Sequence, residues 1–72
     1  MKTKRLSKRQ LIYNFFRPSL GTIFPSQEMH EAFGTAFRSR VSEINRGDYD
    51  IMIFNETDPT TDASVYWAAL KA

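Results

Sequence analysis

The fold of this chain is decided by residues 33–54, which read FGTAFRSRVSEINRGDYDIMIF. Phe37, Val41 and Ile44 recur at positions i, i+4 and i+7, which is the spacing of one apolar stripe along a helix. After Gly47 the apolar residues alternate, and alternation is typical of a strand with one buried face. The stretch therefore predicts a helix over about 35–46 that ends at Gly47 and is followed at once by a strand.

A first helix is predicted near the start of the chain. Ser7 and Gln10 have the spacing of a capping box, and Pro18 stops the helix that they begin, so this helix spans about 7–17. Beyond it, the short stretch 20–24 is largely apolar and partly β-branched, which predicts either a connector or a minimal strand.

The second and third helices are predicted to form a helix-turn-helix. Ser26 is the expected N-cap of the second helix, and Gly34 ends it because glycine tolerates the left-handed conformation that often follows a helix. Thr35 comes next and is the expected N-cap of the third helix. Two short helices joined by a tight turn that contains glycine are the arrangement of a helix-turn-helix motif.

A β-hairpin is predicted after the third helix. Ile51 and Ile53 share the buried face of its first strand with Tyr49, and residues 55–62 form a polar turn. In the second strand, over 64–68, Val65 and Trp67 are expected on one face, with Trp67 in the core. The outer face of the hairpin is expected to hold Met52, Phe54 and Tyr66.

The predicted fold class is therefore α+β, in the form of a winged helix-turn-helix. It has three helices and a C-terminal two-stranded antiparallel hairpin over residues 7–72, and a third, minimal strand at 22–24 is an open option. Residues 1–6 are predicted to be a flexible basic arm that precedes this domain.

Charge is divided unevenly along the chain. Residues 1–46 hold nine Lys and Arg against three Glu, whereas residues 47–72 hold one Lys against five acidic residues. The basic first part favours a polyanionic partner, and the acidic hairpin disfavours close contact with phosphates at that end.

Several classes of function are disfavoured by the residue types present. The chain has no cysteine, and its single histidine, His30, lacks companions for a zinc site, so no metal and no other cofactor is expected. No phosphate loop, dinucleotide fingerprint or nucleophile motif occurs, so an enzyme is not expected. No apolar run is long enough to cross a bilayer, so an intracellular, cytoplasmic location without membrane contact is expected.

The segment from Arg40 to Ile51, RVSEINRGDYDI, resembles part of a family of small winged helix-turn-helix domains found in bacteriophage and mobile-element proteins. The family pattern runs Arg-Ile-Ser-Asp-Leu, then basic residues, then Gly-Tyr, any residue and Ile. Phe33-Gly34 also matches the Phe-Gly that often closes the family's second helix. Gly47 comes one position early here, and Asn45 stands where the family usually has a basic residue. The resemblance implies DNA binding with the third helix in the major groove.

The candidate DNA-binding residues lie on the third helix and in the basic N-terminal segment. When the apolar stripe faces the core, the opposite face projects side chains that read base edges or bind phosphates. A basic arm neutralises phosphates or enters the minor groove. The predicted contacts are Thr35, Arg38, Ser39, Ser42, Asn45 and Arg46 on the helix, and Lys4, Arg5, Lys8 and Arg9 before it.

The hairpin is expected to contribute little to DNA affinity, because its carboxylates are repelled by phosphates. Its residues expected to approach DNA are the uncharged Asn55, Thr57, Thr60 and Thr61. The expected function is double-stranded DNA binding, as a small transcriptional regulator or an excisionase-like accessory factor of a mobile element.

Two further expectations concern protein partners. One module covers little DNA, so a homodimer or a cooperative assembly on DNA is expected, with Met52, Phe54 and Tyr66 as candidate contacts. The alternative that stays open is a protein-interaction module, such as a phage-type inhibitor or adaptor, whose partner binds the acidic hairpin.

Overall fold

The computed structural model describes residues 6–71, so residues 1–5 of the predicted basic arm and Ala72 lie outside the described part. The fold is α+β, with three helices and a three-stranded antiparallel sheet whose strand order is β1-β3-β2. Along the chain, the elements are α1 (Lys8–Phe16), a 3₁₀ turn (Arg17–Ser19), β1 (Phe24–Pro25), α2 (Ser26–Phe33), α3 (Phe37–Arg46), β2 (Ile51–Thr57) and β3 (Ser64–Leu70).

Helix α1 begins where the sequence predicts, but only half of the expected capping box forms. The Ser7 hydroxyl accepts a hydrogen bond from the backbone N–H of Gln10 at 3.2 Å. The Gln10 side chain does not return to Ser7, because its amide donates to the side chain of Asn14, one turn further along, at 2.9 Å. Pro18 lies in the 3₁₀ turn that follows α1, which agrees with its predicted role in ending the helix.

The predicted side-chain caps of α2 and α3 are wrong. Ser26 is the first residue of α2, after Pro25 as N-cap, and Ala36 instead of Thr35 is the N-cap of α3; neither cap makes a side-chain hydrogen bond. For α3 the reason is the turn before it, where the Phe37 N–H donates to the Gly34 carbonyl at 3.2 Å and Thr35 is held inside the turn. Helix α2 begins directly after β1, so Pro25 occupies the N-cap position and Ser26 lies inside the helix.

Gly34 and Gly47 end their helices as predicted, for two different physical reasons. Gly34 has φ +91°, in a region that side chains with a Cβ rarely adopt. Gly47 has φ −89°, which any residue tolerates. A Cβ there would instead lie 3.0 Å from the Glu43 carbonyl oxygen and 3.4 Å from the Tyr49 ring, so close packing favours glycine.

The core lies between the helices and one face of the sheet, and Phe37 is at its centre. The rings of Phe37 and Tyr66 are nearly perpendicular, with centroids 4.8 Å apart. The Phe37 ring also stacks on the Phe33 ring, with centroids 5.7 Å apart. The buried apolar residues are Ile12, Phe16, Met29, Phe37, Val41, Ile44, Ile51, Ile53, Tyr66 and Ala68. This set contains the predicted helix stripe and, from the predicted inner face of the first hairpin strand, Ile51 and Ile53; Tyr49 precedes β2 and is only partly buried against the core.

The predicted faces of β3 are wrong. Tyr66 is buried in the core, whereas Trp67 lies on the opposite face, paired with Phe54 across the strands. The pairing of β3 with β1 explains which side of β3 faces the core. Phe24 of β1 pairs with Tyr66, and the Tyr66 ring packs against Phe37. Strand β1 lies at Phe24–Pro25, slightly after the 22–24 expected for it.

The start of β2 is anchored to α1 by a polar cluster around Asp50. The Tyr13 hydroxyl donates to one Asp50 carboxylate oxygen at 2.7 Å, and Arg17 pairs with the other oxygen at 3.2 Å. The hydrogen bond from Tyr13, followed by Arg17, holds the pKa of the Asp50 carboxyl below its ordinary value. The same bond raises the pKa of Tyr13.

Acidification is expected to weaken this anchor. Because the pKa of Asp50 is lower in the folded protein, the unfolded chain binds the proton first. The stability from the anchor is therefore present above the ordinary Asp pKa of about 4 and is lost as the pH falls through the lower, folded value. In urea unfolding at a series of pH values, the wild-type protein should lose more stability between about pH 5 and about pH 3 than Asp50→Asn. Equal losses in the two proteins would contradict the anchor.

Candidate nucleic-acid interface

The solvent-facing side of α3 carries five of the six helix residues predicted to contact DNA. The buried residues Phe37, Val41 and Ile44 hold the other side of the helix against the core. The side opposite this stripe is open to solvent, and its exposed residues, including one from the preceding turn, are Thr35, Arg38, Ser39, Ser42 and Arg46.

Arg38 and Arg46 differ from the other arginines of α1 and α3 in their ion pairing. Glu43 pairs with Arg40 at 3.1 Å and with Arg9 at 3.5 Å, on the flank of α3 that faces α1. Within residues 6–71, neither Arg38 nor Arg46 lies within ion-pair distance of a carboxylate. Their charges are therefore available to an external anion, whereas Arg9, a predicted DNA contact, is engaged with Glu43.

Asn45, one of the predicted DNA contacts, makes two hydrogen bonds to the backbone of β2. Its side-chain amide donates to the Ile53 carbonyl at 2.9 Å and accepts from the Ile53 N–H at 2.8 Å. Because β2 is an edge strand, these two backbone groups have no strand partner, and Asn45 supplies one. These two hydrogen bonds fix the Asn45 side chain on β2, so we assign Asn45 to holding the hairpin against α3.

The two hydrogen bonds between Asn45 and Ile53, called the Asn45 clamp below, lie in a groove between α3 and the hairpin. The groove has a volume of about 200 Å³. It contains residues from both parts of the chain that were predicted to contact DNA, namely Arg38 and Ser42 from the helix and Asn55 from the hairpin. Its lining residues are Arg38, Val41, Ser42, Asn45, Ile53, Asn55 and Tyr66.

The basic residues predicted near the start of the chain are only partly described. Lys4 and Arg5 lie outside the described residues. Lys8 is exposed, and a Cβ on Gly34 would lie 3.7 Å from its ammonium nitrogen. Lys8 therefore places a positive charge beside the turn that precedes α3.

The uncharged residues of the hairpin are exposed, as a DNA contact requires, but three of them have partners within the hairpin. Asn55 donates to the Ser64 hydroxyl at 2.6 Å and to the Val65 carbonyl at 3.0 Å. The Thr60 N–H donates to Asp58 at 2.8 Å, and the Thr61 hydroxyl accepts from Ala63 at 3.4 Å. Thr57, also exposed, is the last residue of β2.

The tip of the hairpin is negatively charged. Glu56, Asp58 and Asp62 are all exposed there. The backbone N–H of Thr60 stabilises the Asp58 carboxylate and lowers its pKa, so this residue stays ionised. Asp50 belongs to the anchor on α1 and is not part of this acidic tip.

Two features of this interface were not predicted from the sequence. The first is the clamp, although Asn45 follows the core residue Val41 by four positions and so lies at the border of the buried stripe. The second is the division of the arginines between internal pairs and solvent, because the pairing of Arg9 with Glu43 depends on how α1 packs on α3.

The described residues show neither a metal cluster nor a membrane helix. Within residues 6–71, no group of three or more His, Asp or Glu side chains is arranged to hold a metal ion. In the same part of the chain, no helix combines the length and apolarity needed to cross a bilayer.

Comparisons of this chain with models of protein families, with curated proteins and with solved structures give no match.

Proposed function

We propose that this chain is a small winged helix-turn-helix domain that binds double-stranded DNA by placing α3 in the major groove. The observation that carries the proposal is the solvent face of α3, where Arg38 and Arg46 have no ion-pair partner within residues 6–71. A helix that is held by a buried stripe and presents unpaired arginines on its other side suits an anionic partner.

The dimensions of α3 agree with this role. Its ten residues are about 15 Å long at about 1.5 Å per residue, which corresponds to roughly four base pairs at about 3.4 Å each. A helix with its side chains is about 10–12 Å across, and the major groove is about 12 Å wide. Helices α2 and α3, joined by the tight turn at Gly34, supply the two helices of the motif.

Within this arrangement, the residues of α3 have different tasks. In helix-turn-helix proteins, the N-terminal part of the recognition helix contacts base edges, so Arg38 and Ser42 are placed to read bases. Arginine donates two hydrogen bonds to guanine in the commonest specific pairing. Arg46, at the far end of α3, and Lys8, beside the turn, are placed to contact phosphates.

The hairpin serves as a wing that approaches DNA through the groove side only. Asn55 faces that groove together with Arg38. The acidic tip is repelled by phosphates and stays away from the duplex. The proposed biological role is that of a small transcriptional regulator or an excisionase-like accessory factor, and the acidic tip agrees with a wing that adds little affinity.

Single arginine substitutions test this proposal. Arg38→Ala and Arg46→Ala are each expected to weaken binding to duplex DNA by about 1–2 kcal/mol, which is a five- to thirtyfold rise in Kd. The measurement is fluorescence anisotropy of a labelled random-sequence duplex at low salt.

Arg17→Ala is the matched control, because it removes the same charge from a residue of the 3₁₀ turn that is paired with Asp50. Its Kd is expected to change less than threefold, roughly the effect of one distant charge. The proposal is wrong if Arg17→Ala weakens binding as much as the two variants on α3, or if none of the proteins binds.

A further inference from the structure

The outer face of the sheet is an apolar surface that no described element covers. The inner face packs on the core through Ile51, Ile53, Tyr66 and Ala68. None of the alternate residues on the outer face belongs to that core. These are Met52, Phe54 and Glu56 on β2 and Val65, Trp67 and Ala69 on β3, and all except Glu56 are apolar.

The centre of this outer face is a stacked aromatic pair. The rings of Phe54 and Trp67 lie 4.4 Å apart between centroids and 20° from parallel. Phe54 is 36% exposed although it is a large apolar residue on a strand, and Ile23, just before β1, is 63% exposed. A rigid aromatic platform with an exposed aliphatic neighbour is typical of a surface that binds another protein.

One end of the outer face continues into an apolar depression under the hairpin loop. Its volume is about 380 Å³. Ile23, Val65 and Pro59 line its apolar part, and Glu56 and Asp58 line its rim. An apolar chain that ends in a positive charge, such as Lys or Arg, matches both parts of this depression.

The charged residues of the two long strands and their loop are all acidic, and Lys71, which follows β3, donates to the Gly47 carbonyl at 3.0 Å. Residues 51–70, which comprise β2, the loop and β3, contain Glu56, Asp58 and Asp62 and no Lys or Arg. A partner that covers this face therefore gains from positive charge along its edge.

We propose that the outer sheet face binds a basic amphipathic helix of another protein. Each seven-residue strand is about 23 Å long at about 3.3 Å per residue, and a helix of about 15 residues has the same length. The two long strands lie about 4.8 Å apart, and Ile23 widens the face to about the 10 Å diameter of one helix. The apolar side of that helix covers Phe54 and Trp67, and its Lys and Arg lie along the acidic end.

A second copy of this chain fits the same face poorly. Two hairpins placed face to face bring together acidic residues of both copies, with no cation on either hairpin. The face measures only roughly 23 by 10 Å by these strand dimensions, which is small for a stable dimer interface. Tyr66, one of the three contacts expected for a homodimer, is buried in the core. The small area also means that the proposed helix binds weakly and depends on charge.

The test uses a 15-residue helical peptide of leucine on one side and lysine on the other, acetylated and amidated. A peptide with glutamate in place of lysine is its control. Trp67 is the only tryptophan of the chain, so its fluorescence reports directly on the outer face. The lysine peptide is expected to change this fluorescence saturably, and the change should weaken as salt is added. The glutamate peptide should not bind.

Matched variants of the full chain locate the contact. Phe54→Ser is expected to weaken peptide binding about tenfold or more. Glu56→Gln with Asp62→Asn should weaken it about two- to tenfold, and asparagine tolerates the φ of +62° at position 62. Glu28→Gln with Glu31→Gln removes the same charge from exposed residues of α2 and should leave binding unchanged.

The proposal is overturned if the lysine peptide fails to bind, or if the glutamate peptide binds equally well. It is also overturned if the α2 control weakens binding as much as the hairpin variant. A stable wild-type dimer in sedimentation that Phe54→Ser converts to a monomer would assign the face to a second copy instead. None of these outcomes depends on DNA binding, because the face of α3 lies on a different element.

Discussion

Replacement of Phe37 by alanine is expected to lower the free energy of unfolding by about 3–5 kcal/mol. The side chain is fully buried and packs against Tyr66 of β3 and Phe33 of α2, so it joins α3 to both elements. At roughly 0.05–0.15 kcal/mol per residue, a chain of this length has about 4–10 kcal/mol of stability in total. The substitution should therefore remove a large fraction of the total stability, and at the lower end of that range the variant is close to its unfolding midpoint in buffer alone.

Urea unfolding followed by far-ultraviolet circular dichroism measures this effect. Phe54→Ala is the control, since it removes the same side chain from a site that is 36% exposed, and it should cost only about 1 kcal/mol. A Phe37→Ala protein that unfolds within about 1 kcal/mol of the wild type would show that Phe37 is not central to the core.

The second large effect is expected from Asn45→Ala, which should lower the free energy of unfolding by about 2–4 kcal/mol. The substitution leaves the N–H and the carbonyl of Ile53 without their partner, and each unpaired buried group costs about 1–3 kcal/mol. Partial access of water at the sheet edge keeps the total below the sum of two fully buried groups. Ser42→Ala, an exposed site on the same helix, is the control and should change stability by less than about 0.5 kcal/mol.

Asn45→Asp provides a sharper test of the clamp. A carboxylate still accepts from the Ile53 N–H but opposes the Ile53 carbonyl, whereas a protonated carboxyl can donate to that carbonyl. The stability deficit of Asn45→Asp, measured against the wild type at each pH, should therefore shrink as the pH falls. A deficit that does not depend on pH would contradict the pair of hydrogen bonds.

The helices were largely predictable because their signals are local. The stripe of Phe37, Val41 and Ile44 and the stops at Gly34 and Gly47 depend on residues within a few positions of each other. The caps expected at Ser26 and Thr35 were not predictable from residue type. Thr35 is kept out of α3 by the short turn at Gly34, and Ser26 lies inside α2 because that helix begins directly after β1.

The sequence did not show which side of β3 faces the core. Apolar residues occupy both faces of this strand, since Val65, Trp67 and Ala69 alternate with Tyr66 and Ala68. Either face satisfies a pattern of period two, and only the pairing with Phe24 and the packing on Phe37 direct Tyr66 inwards.

The candidate site shows the same division between local and tertiary information. The exposed face of α3 follows from helical periodicity, so Arg38, Ser42 and Arg46 could be assigned to it in advance. The role of Asn45 could not, because it depends on the edge of a strand that the chain reaches only after a turn. The engagement of Arg9 by Glu43 likewise depends on the packing of two helices.

The salt dependence of wild-type binding to a random-sequence DNA duplex tests the proposed function most directly. If Arg38, Arg46 and Lys8 meet DNA, the logarithm of the binding constant should fall linearly with the logarithm of the salt concentration. The expected slope is about −2 to −4, at about −0.9 per phosphate neutralised. Binding with this slope, reduced by about one in Arg46→Ala, is the result predicted. The absence of binding at the lowest salt concentration, in a protein that is folded by circular dichroism, would contradict DNA recognition by α3.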